Sequence, residues 1–303
     1  MHLARTEEQQ ELATTVRALL TRRSDSAAVR AAIETPEGYD TGLWQALCEQ
    51  VGVAALPIPE QYDGFGATLV ETAVVLEELG ENLTPAPLLA GTLAAVHTLL
   101  HGSESEREEL LPDLAAGRVV PFTLGRVVLE PADRTPAMDQ TLRLALAAEP
   151  VEPPEDVRDI SIALVSALQV GAMQRGLDMT VAYSKERVQF GRPIGSFQAL
   201  KHRMADLHVL LEASRSASWG ATAAAAAYLA EPSEDRGDAL HRLAAVAGSY
   251  CSDALDRIAG ETVQLHGGIA ITWEHDAQLL FKRAHALSQL NGPAHRHRAS
   301  VLT

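Results

Sequence analysis

The chain has 303 residues and a formal net charge of −15 at pH 7, because 40 Asp and Glu residues outnumber 25 Lys and Arg residues. This charge repels nucleic acid and anionic lipid, and so excludes polyanion binding away from a local basic patch. The two cysteines, Cys48 and Cys251, stand far apart with no CxxC pair or Cys/His cluster, which excludes a disulfide framework and a zinc site of the usual spacing.

The N-terminus, MHLARTEEQQELATTV, lacks the apolar stretch of a secretory signal. No run of the chain reaches the roughly 18 apolar residues that a membrane-spanning helix needs. These two features predict a cytoplasmic protein without a membrane span.

Residues 1–120 are predicted to form an N-terminal helical domain, because hydrophobic residues recur there with a period near 3.6. A Pro/Gly loop, LPIPEQYDGFG, separates the second helix from the third. Gly80 is placed to cap the C-terminus of the third helix. The predicted helices run over Thr6–Leu20, Thr41–Val51, Leu69–Gly80, Pro85–Leu100 and Ser105–Ala116.

The 38 residues from Phe122 to Asp159 carry five prolines and interrupt the helical pattern. Proline cannot donate to a strand ladder, so this region holds at most two or three short strands. We therefore expect residues 121–156 to form a vestigial β segment and a linker.

Residues 157–303 are predicted to form a C-terminal four-helix bundle, because four long helical runs follow one another there. Apolar and small residues cover most of the surface of the first run, which predicts a central helix packed on several sides. The runs cover Val157–Ser184, Phe197–Leu229, Ser233–Leu265 and Trp273–Val301.

The first loop of this bundle, SKERVQFGRPIGSFQALKH, carries more polar residues than a packed turn requires. Arg187, Gln189 and Gln198 are suited to donate hydrogen bonds to a phosphate-bearing or heteroaromatic ligand. A helix-helix turn with a glycine cap also explains the loop, and on these residues alone it is the favoured interpretation.

Two further loops contain glycine within the bundle. The pair Gly267 and Gly268 allows a ligand close to backbone N–H groups, although an ordinary helix end explains it equally well. The segment Asn291-Gly-Pro precedes the basic run HRHR, which has no partnering Cys or carboxylate cluster. No metal site is expected there.

Three segments together resemble the acyl-CoA dehydrogenase family over nearly the whole chain apart from its middle. LWQALCEQVGVAALPIPEQYDGFGATLVETAVVLEELG resembles the N-terminal helical domain of that family. ERVQFGRPIGSFQALKHRMADL is similar to its R-x-x-F-G-x-x-I-x-x-F-Q signature, and QLHGGIAITWEHDAQLLFKRA to its Q-x-x-G-G signature. The resemblance implies a mainly α fold, in which helices, a β middle domain and a four-helix bundle follow one another.

The resemblance also implies an FAD shared at the subunit interface. Its ADP end would be held by seven residues of this chain, on behalf of a flavin that belongs to a neighbouring subunit. A guanidinium suits pyrophosphate, glutamines suit polar edges, and phenylalanine suits the face of an adenine. These residues are Arg187, Gln189, Phe190, Gln198, Gln264, Gly267 and Gly268.

The chain departs from the family pattern in its middle region and at the catalytic base. A full middle domain has on the order of a hundred residues, whereas this chain has 38 between Phe122 and Asp159. In this family a glutamate removes the α proton of the thioester. The position it takes in most members aligns with Asn291 of this chain, and the position it takes in other members aligns near Ser161. Neither residue is a carboxylate, so no catalytic residue is expected in this chain.

Three functions remain open at this point. The favoured one is a subunit of a heteromeric acyl-CoA dehydrogenase, similar to the heterotetramers that shorten steroid side chains as CoA thioesters. A full-length sister subunit would supply the flavin-ring pocket and the glutamate, and an electron-transfer acceptor would reoxidise the flavin. The alternatives are a self-sufficient homo-oligomer with a displaced base such as Glu261, with Glu186 and Glu274 weaker candidates, and a flavin-free helical scaffold.

Overall fold

Helices make up nearly all of the regular structure in the computed structural model of the chain, which describes residues 5–132 and 137–301. The mainly α class predicted from the hydrophobic period is confirmed. Six helices precede the middle region: α1 (Glu7–Arg23), α2 (Ser26–Glu34), α3 (Thr41–Ala46), α4 (Leu69–Glu81), α5 (Leu88–His101) and α6 (Glu104–Ala115). A π turn, Leu47–Val51, continues α3.

Side-chain caps fix the starts of most N-terminal helices. Thr6, Thr68 and Ser103 each form a capping box with the residue three positions later, which satisfies backbone N–H groups that the helix leaves free. Asp25 caps α2, a nine-residue helix that the sequence interpretation missed because its apolar stripe is short. The Asp25 cap is the signal that marks its start.

Helix α4 continues through Gly80, so the predicted cap at Gly80 is wrong. The helix ends at Glu81, and Asn82 takes the C-cap position. A Cβ atom at position 80 would lie 2.3 Å from the carbonyl oxygen of Leu168 in the first bundle helix. Gly80 is therefore required by close contact between two helix backbones and not by a helix end.

The middle region forms one antiparallel hairpin, of β1 (Phe122–Leu129) and β2 (Leu144–Val151), with a bulge between Gly125 and Val127. Two short strands agree with the prediction. The segment before β2 is anchored to the last part of the bundle by Arg283, whose side chain is fully buried. Its guanidinium donates to the Oγ1 and the carbonyl oxygen of Thr141, each at 2.7 Å, and lies 3.8 Å from Asp139.

The C-terminal bundle contains α7 (Glu155–Glu186), α8 (Gln198–Ala230), α9 (Glu234–His266), α10 (Ala277–Leu290) and α11 (Ala294–Val301). A two-residue hairpin, β3 (Val188–Gln189) and β4 (Arg192–Pro193), connects α7 to α8. The fourth predicted run begins at Ala277 instead of Trp273 and is broken at Asn291–Pro293, because glycine and proline end α10 there.

Helix α7 is the central helix of the bundle, as predicted. It is buried along most of its length and packs against α4, α8 and α9. By length and composition alone α7 could cross a membrane, but 89% of its most apolar window is buried inside the protein. Asp159 bonds to His241 and Thr180 bonds to Thr262. Early residues of α7 therefore meet early residues of α9, so these two helices run in the same direction. Helix α8, which connects them in the chain, runs in the opposite direction.

Candidate functional site

The two signature loops lie at the same end of the bundle. Helices α7 and α9 both end there, and the rings of Tyr183 and His266 stack with centroids 4.5 Å apart. His266 donates through Nδ1 to the carbonyl oxygen of Thr262 at 2.7 Å, and burial lowers its pKa. This contact holds the segment after Tyr183 beside the segment after His266, which is the arrangement that one shared ligand would require.

The β3–β4 hairpin presents Phe190 to the outside of the bundle. Phe190 and Gly191 form its two-residue turn with φ values of 52° and 78°, both in the left-handed region that such turns use. Phe190 is 91% exposed and meets the ring of Phe197 edge-on at 6.1 Å. The guanidinium of Arg192 lies 4.1 Å from the centre of the Phe197 ring. A cation and two aromatic rings are thus grouped on one small surface.

The polar residues predicted to hold a cofactor lie in or beside the two signature loops and are exposed: Arg187, Gln189, Gln198 and Gln264. Arg187 is the C-cap of α7, where its backbone N–H bonds to the carbonyl oxygen of Tyr183. Gln198 bonds to Nε2 of His202 at 3.2 Å. Exposed polar side chains in this position fit a ligand or a second chain that approaches from outside the subunit.

Gly267 and Gly268 follow α9 with open space around them. Gly267 has a φ of 67°, and a Cβ atom built at either glycine would meet nothing within 4 Å. Packing within the described chain therefore does not require the second glycine. The open space beside both glycines leaves room for a ligand close to the backbone.

The two residues predicted to stand at or near the family's base positions meet in this structure. The hydroxyl of Ser161, near the start of α7, donates to Oδ1 of Asn291 at 3.2 Å. The amide Nδ2 of Asn291 is buried without a partner. Buried His297 bonds through Nε2 to the carbonyl oxygen of Gly292 at 3.0 Å, and burial lowers its pKa. This site holds neutral hydrogen-bonding groups and no carboxylate at positions 161 and 291.

The base positions lie far from the signature loops of the same subunit. Ser161 and Arg187 are 26 residues apart on one continuous helix, and a rise of about 1.5 Å per residue places them about 39 Å apart along its axis. One flavin dinucleotide cannot reach both. The two ends of the bundle would therefore face different cofactor molecules.

Glu261, the predicted displaced base, is engaged elsewhere. Nε of Arg203 donates to its Oε2 at 2.8 Å, in an ion pair between α8 and α9. Glu261 lies nine residues beyond Ser252, which lines a small pocket together with Asn291. That spacing is about 14 Å along α9, so Glu261 does not face the base positions. Glu186 ends α7 as an exposed residue, and Glu274 is also exposed.

A cavity of about 600 Å³ opens beside Asn291 and Gly292. It is bounded by the β1–β2 hairpin, the first turns of α7, the first half of α9 and the junction between α10 and α11. Asp159 and His241 line it, and they form a hydrogen bond of 2.9 Å between Oδ2 and Nδ1. Burial raises the pKa of Asp159, while the hydrogen bond from His241 opposes this rise.

The pairing of Asp159 with His241 was missed by sequence reasoning. The two residues are 82 positions apart and belong to no short motif. The available signal is weak: Asp159 directly precedes the apolar run of α7, two positions before Ser161, and a buried carboxylate requires a partner.

Comparisons with known proteins agree with this architecture. Residues 6–118 match the family description "Acyl-CoA dehydrogenase, N-terminal domain", and residues 162–302 match "Acyl-CoA dehydrogenase, C-terminal domain". The chain is 45% identical to acyl-CoA dehydrogenase IpdE2 of Mycolicibacterium smegmatis over 310 residues, which cover 95% of each chain.

Two solved structures share the fold. The ChsE4-ChsE5 complex from Mycobacterium tuberculosis contains a chain that superposes with a TM-score of 0.81 at 22% identity, covering 99% of this chain and 98% of that one. A variant of the Tcur3481-Tcur3483 steroid ACAD superposes with a TM-score of 0.81 at 24% identity, covering 97% and 96%.

Proposed function

The chain belongs to the acyl-CoA dehydrogenase family, and on that premise we propose that it is the subunit without a base in a heteromeric FAD-dependent acyl-CoA dehydrogenase. A sister subunit with a full middle domain carries the catalytic glutamate and encloses the flavin ring. The complex forms the α,β double bond of an acyl-CoA. This chain alone is inactive as a dehydrogenase.

The contact between Ser161 and Asn291 carries this proposal. Removal of the α proton needs a positioned carboxylate or a group of similar basicity. An amide does not accept that proton, and a serine without an adjacent base does not replace the glutamate. Because both positions are occupied by neutral residues that bond to each other, the proposal assigns the base to another chain.

The short middle region supports the same proposal. Its described residues form the β1–β2 hairpin and add no further strand. A hairpin of two strands has too small a surface to cover the face of a flavin ring that points away from the bundle. The flavin ring therefore belongs to the sister subunit, whose middle domain covers it.

The cofactor contribution of this chain is the ADP side. Arg187, Phe190 and the glycine pair of the second signature lie together at one end of the bundle and are exposed. A guanidinium forms charge-assisted hydrogen bonds with a diphosphate, and an exposed aromatic ring stacks on a purine. The distance of about 39 Å from this end to the base positions supports a flavin that crosses from the neighbouring subunit.

The nature of the partner and of the substrate rests on similarity. The solved ChsE4-ChsE5 complex is a complex of two named chains, and the Tcur3481-Tcur3483 structure is described as a steroid ACAD. We extend both properties to this chain, with a sister dehydrogenase subunit as the partner and a steroid-derived acyl-CoA as the substrate. A separate electron-transfer protein accepts the electrons, and the complex works in the cytoplasm.

The test is the visible flavin spectrum of the purified chain, alone and after co-expression with a sister dehydrogenase subunit. The proposal expects a colourless lone chain and a yellow complex that oxidises an acyl-CoA. A yellow lone chain that turns over acyl-CoA contradicts it and favours a self-sufficient enzyme. A colourless complex contradicts it as well and favours a flavin-free scaffold.

A further inference from the structure

Three potential metal ligands lie together at the cavity beside Asn291. Glu155 and Asp159 are four residues apart in the first turns of α7 and so point to one side of that helix. His241 approaches them from α9. One ligand atom from each of the three residues lies within 4.8 Å of the other two. The group combines a buried carboxylate, a half-buried imidazole and an exposed carboxylate.

The separations are compatible with a common ion. Nδ1 of His241 lies 2.9 Å from Oδ2 of Asp159 and 3.7 Å from Oε1 of Glu155. Ligand atoms of a tetrahedral ion are about 3.4 Å apart when each bond is about 2.1 Å long. Rotation of the exposed Glu155 side chain, together with a widening of the 2.9 Å separation between Asp159 and His241 by about 0.5 Å, would bring all three atoms to such distances.

The charged groups around the three ligands partly favour and partly oppose a bound cation. Two carboxylates and a neutral imidazole give a net charge that balances a divalent cation. Arg158 opposes a cation, because its Nη2 lies 3.5 Å from Oε1 of Glu155. Arg126 and Arg296 line the same cavity and also oppose a cation, whereas Glu152, which lines it too, favours one. The ion would have to displace the Arg158 side chain from Glu155. Arg158 is half exposed, so its guanidinium can turn into solvent.

We propose that Glu155, Asp159 and His241 bind one divalent transition-metal ion of the zinc class. On binding, the neutral imidazole of His241 changes tautomer: Nδ1 gives its proton to solvent and Nε2 takes one from solvent, so the hydrogen bond to Asp159 is replaced by two metal-ligand bonds. Three protein ligands leave a fourth position open to the cavity of about 600 Å³, where water or an oxygen atom of a small molecule completes the shell.

The site is independent of flavin and of acyl-CoA, so it is tested on the purified full chain with the metal alone. Zn²⁺ is titrated by calorimetry, and Co²⁺ is titrated by its visible absorption, which reports coordination geometry. The expected result is one ion per chain with a tetrahedral or five-coordinate Co²⁺ spectrum.

Variants separate this site from adventitious binding. His241→Ala and Asp159→Asn should each weaken binding more than tenfold, while Arg158→Gln should strengthen it because it removes the competing cation. Glu155→Gln changes an exposed residue, so it tests the site even where a buried substitution impairs folding. His295→Ala is the matched control, since His295 is exposed on α11 and does not line the cavity.

Two outcomes overturn the proposal. One is the absence of saturable uptake of a single ion by the folded wild-type chain. The other is uptake that survives undiminished in both Glu155→Gln and His241→Ala. Either would mean that the bond between Asp159 and His241 only joins α7 to α9.

Discussion

Ser161 donates a hydrogen bond to Asn291 across 3.2 Å, and this bond joins the first helix of the bundle to the end of the fourth. The two residues are those predicted from the sequence to stand at or near the two positions at which the family places its base. Loss of the carboxylate at one position is therefore not compensated at the other. Each neutral residue instead satisfies part of its partner's hydrogen-bonding capacity, which is the arrangement of a structural contact.

Replacement of Asn291 by Glu restores a carboxylate at the more common base position, yet we expect no dehydrogenase activity from the complex at this site. The described middle region has only the β1–β2 hairpin to cover a flavin ring there. The measurement is dye-coupled oxidation of an acyl-CoA by complexes that contain Asn291→Glu or, as control, Asn291→Gln. New turnover confined to the Glu variant would show that a flavin ring faces this position.

Replacement of Arg187 by Ala is expected to lower the flavin content of the complex severalfold without preventing assembly. The change removes a charge-assisted contact to a diphosphate, and such contacts contribute about 1.5–3 kcal/mol. Flavin per complex is measured from absorbance after gel filtration. Arg236→Ala is the matched control, because Arg236 pairs with exposed Glu231 near the start of α9, at the opposite end of the bundle.

Gly268→Ala extends the same test to the second signature. The added methyl group meets nothing within 4 Å in the chain itself, so stability should stay nearly constant while flavin content falls. Full flavin occupancy in both Arg187→Ala and Gly268→Ala would leave the two loops with a purely structural role.

Replacement of Gly171 by Ala is expected to destabilise the chain by about 3 kcal/mol or more. A Cβ atom there would lie 1.9 Å from the carbonyl oxygen of Glu77, and backbone cannot move aside as a side chain can. The midpoint of urea unfolding measures the effect. Gly91→Ala is the control: it lies inside α5 with nothing within 4 Å of its Cβ, and the alanine should stabilise by about 0.5–1 kcal/mol.

Glu130 makes the free energy of unfolding depend on pH near neutrality. Burial raises the pKa of this carboxyl from 4.5 to about 7, and its Oε2 is buried without a partner. Between these two pH values the folded chain binds more protons than the unfolded chain, so stability falls as the pH rises. The shift corresponds to about 3 kcal/mol lost above pH 7.

Glu130→Gln removes this titration. The variant should match the wild type near pH 4 and exceed its stability by about 3 kcal/mol at pH 8, as measured by urea unfolding across the pH range. Glu149→Gln, an exposed change on β2, is the control. A constant difference between Glu130→Gln and the wild type at every pH would contradict the assignment.

The helical class and most helix positions were predictable because a hydrophobic period near 3.6 persists through long segments. Helix α2 was missed because nine residues hold only a few apolar positions. Gly80 was assigned to a helix end because sequence cannot distinguish a glycine needed for conformation from one needed for close backbone contact. Only the position of Leu168 in another helix reveals the second cause.

Some residues of the candidate site could be predicted from the sequence, and others could not. The signature residues, such as Arg187 and Gly267, are contiguous in sequence and were therefore found by motif. Asp159 and His241 are brought together only by the packing of α7 against α9. Whether the signature residues hold a flavin stays a prediction, since it depends on a second chain.

The buried side chain of Arg283 determines how the shortened middle region behaves. Its bonds to Thr141 join that region to α10 without contact with water, so detachment of the residues around Thr141 would leave a buried guanidinium without these acceptors. Amide hydrogen exchange there should be as slow as in α10 and not as fast as in a loop. A protease that cuts exposed linkers would find no opening at Thr141, and deletion of this segment would leave an unpaired guanidinium inside the bundle.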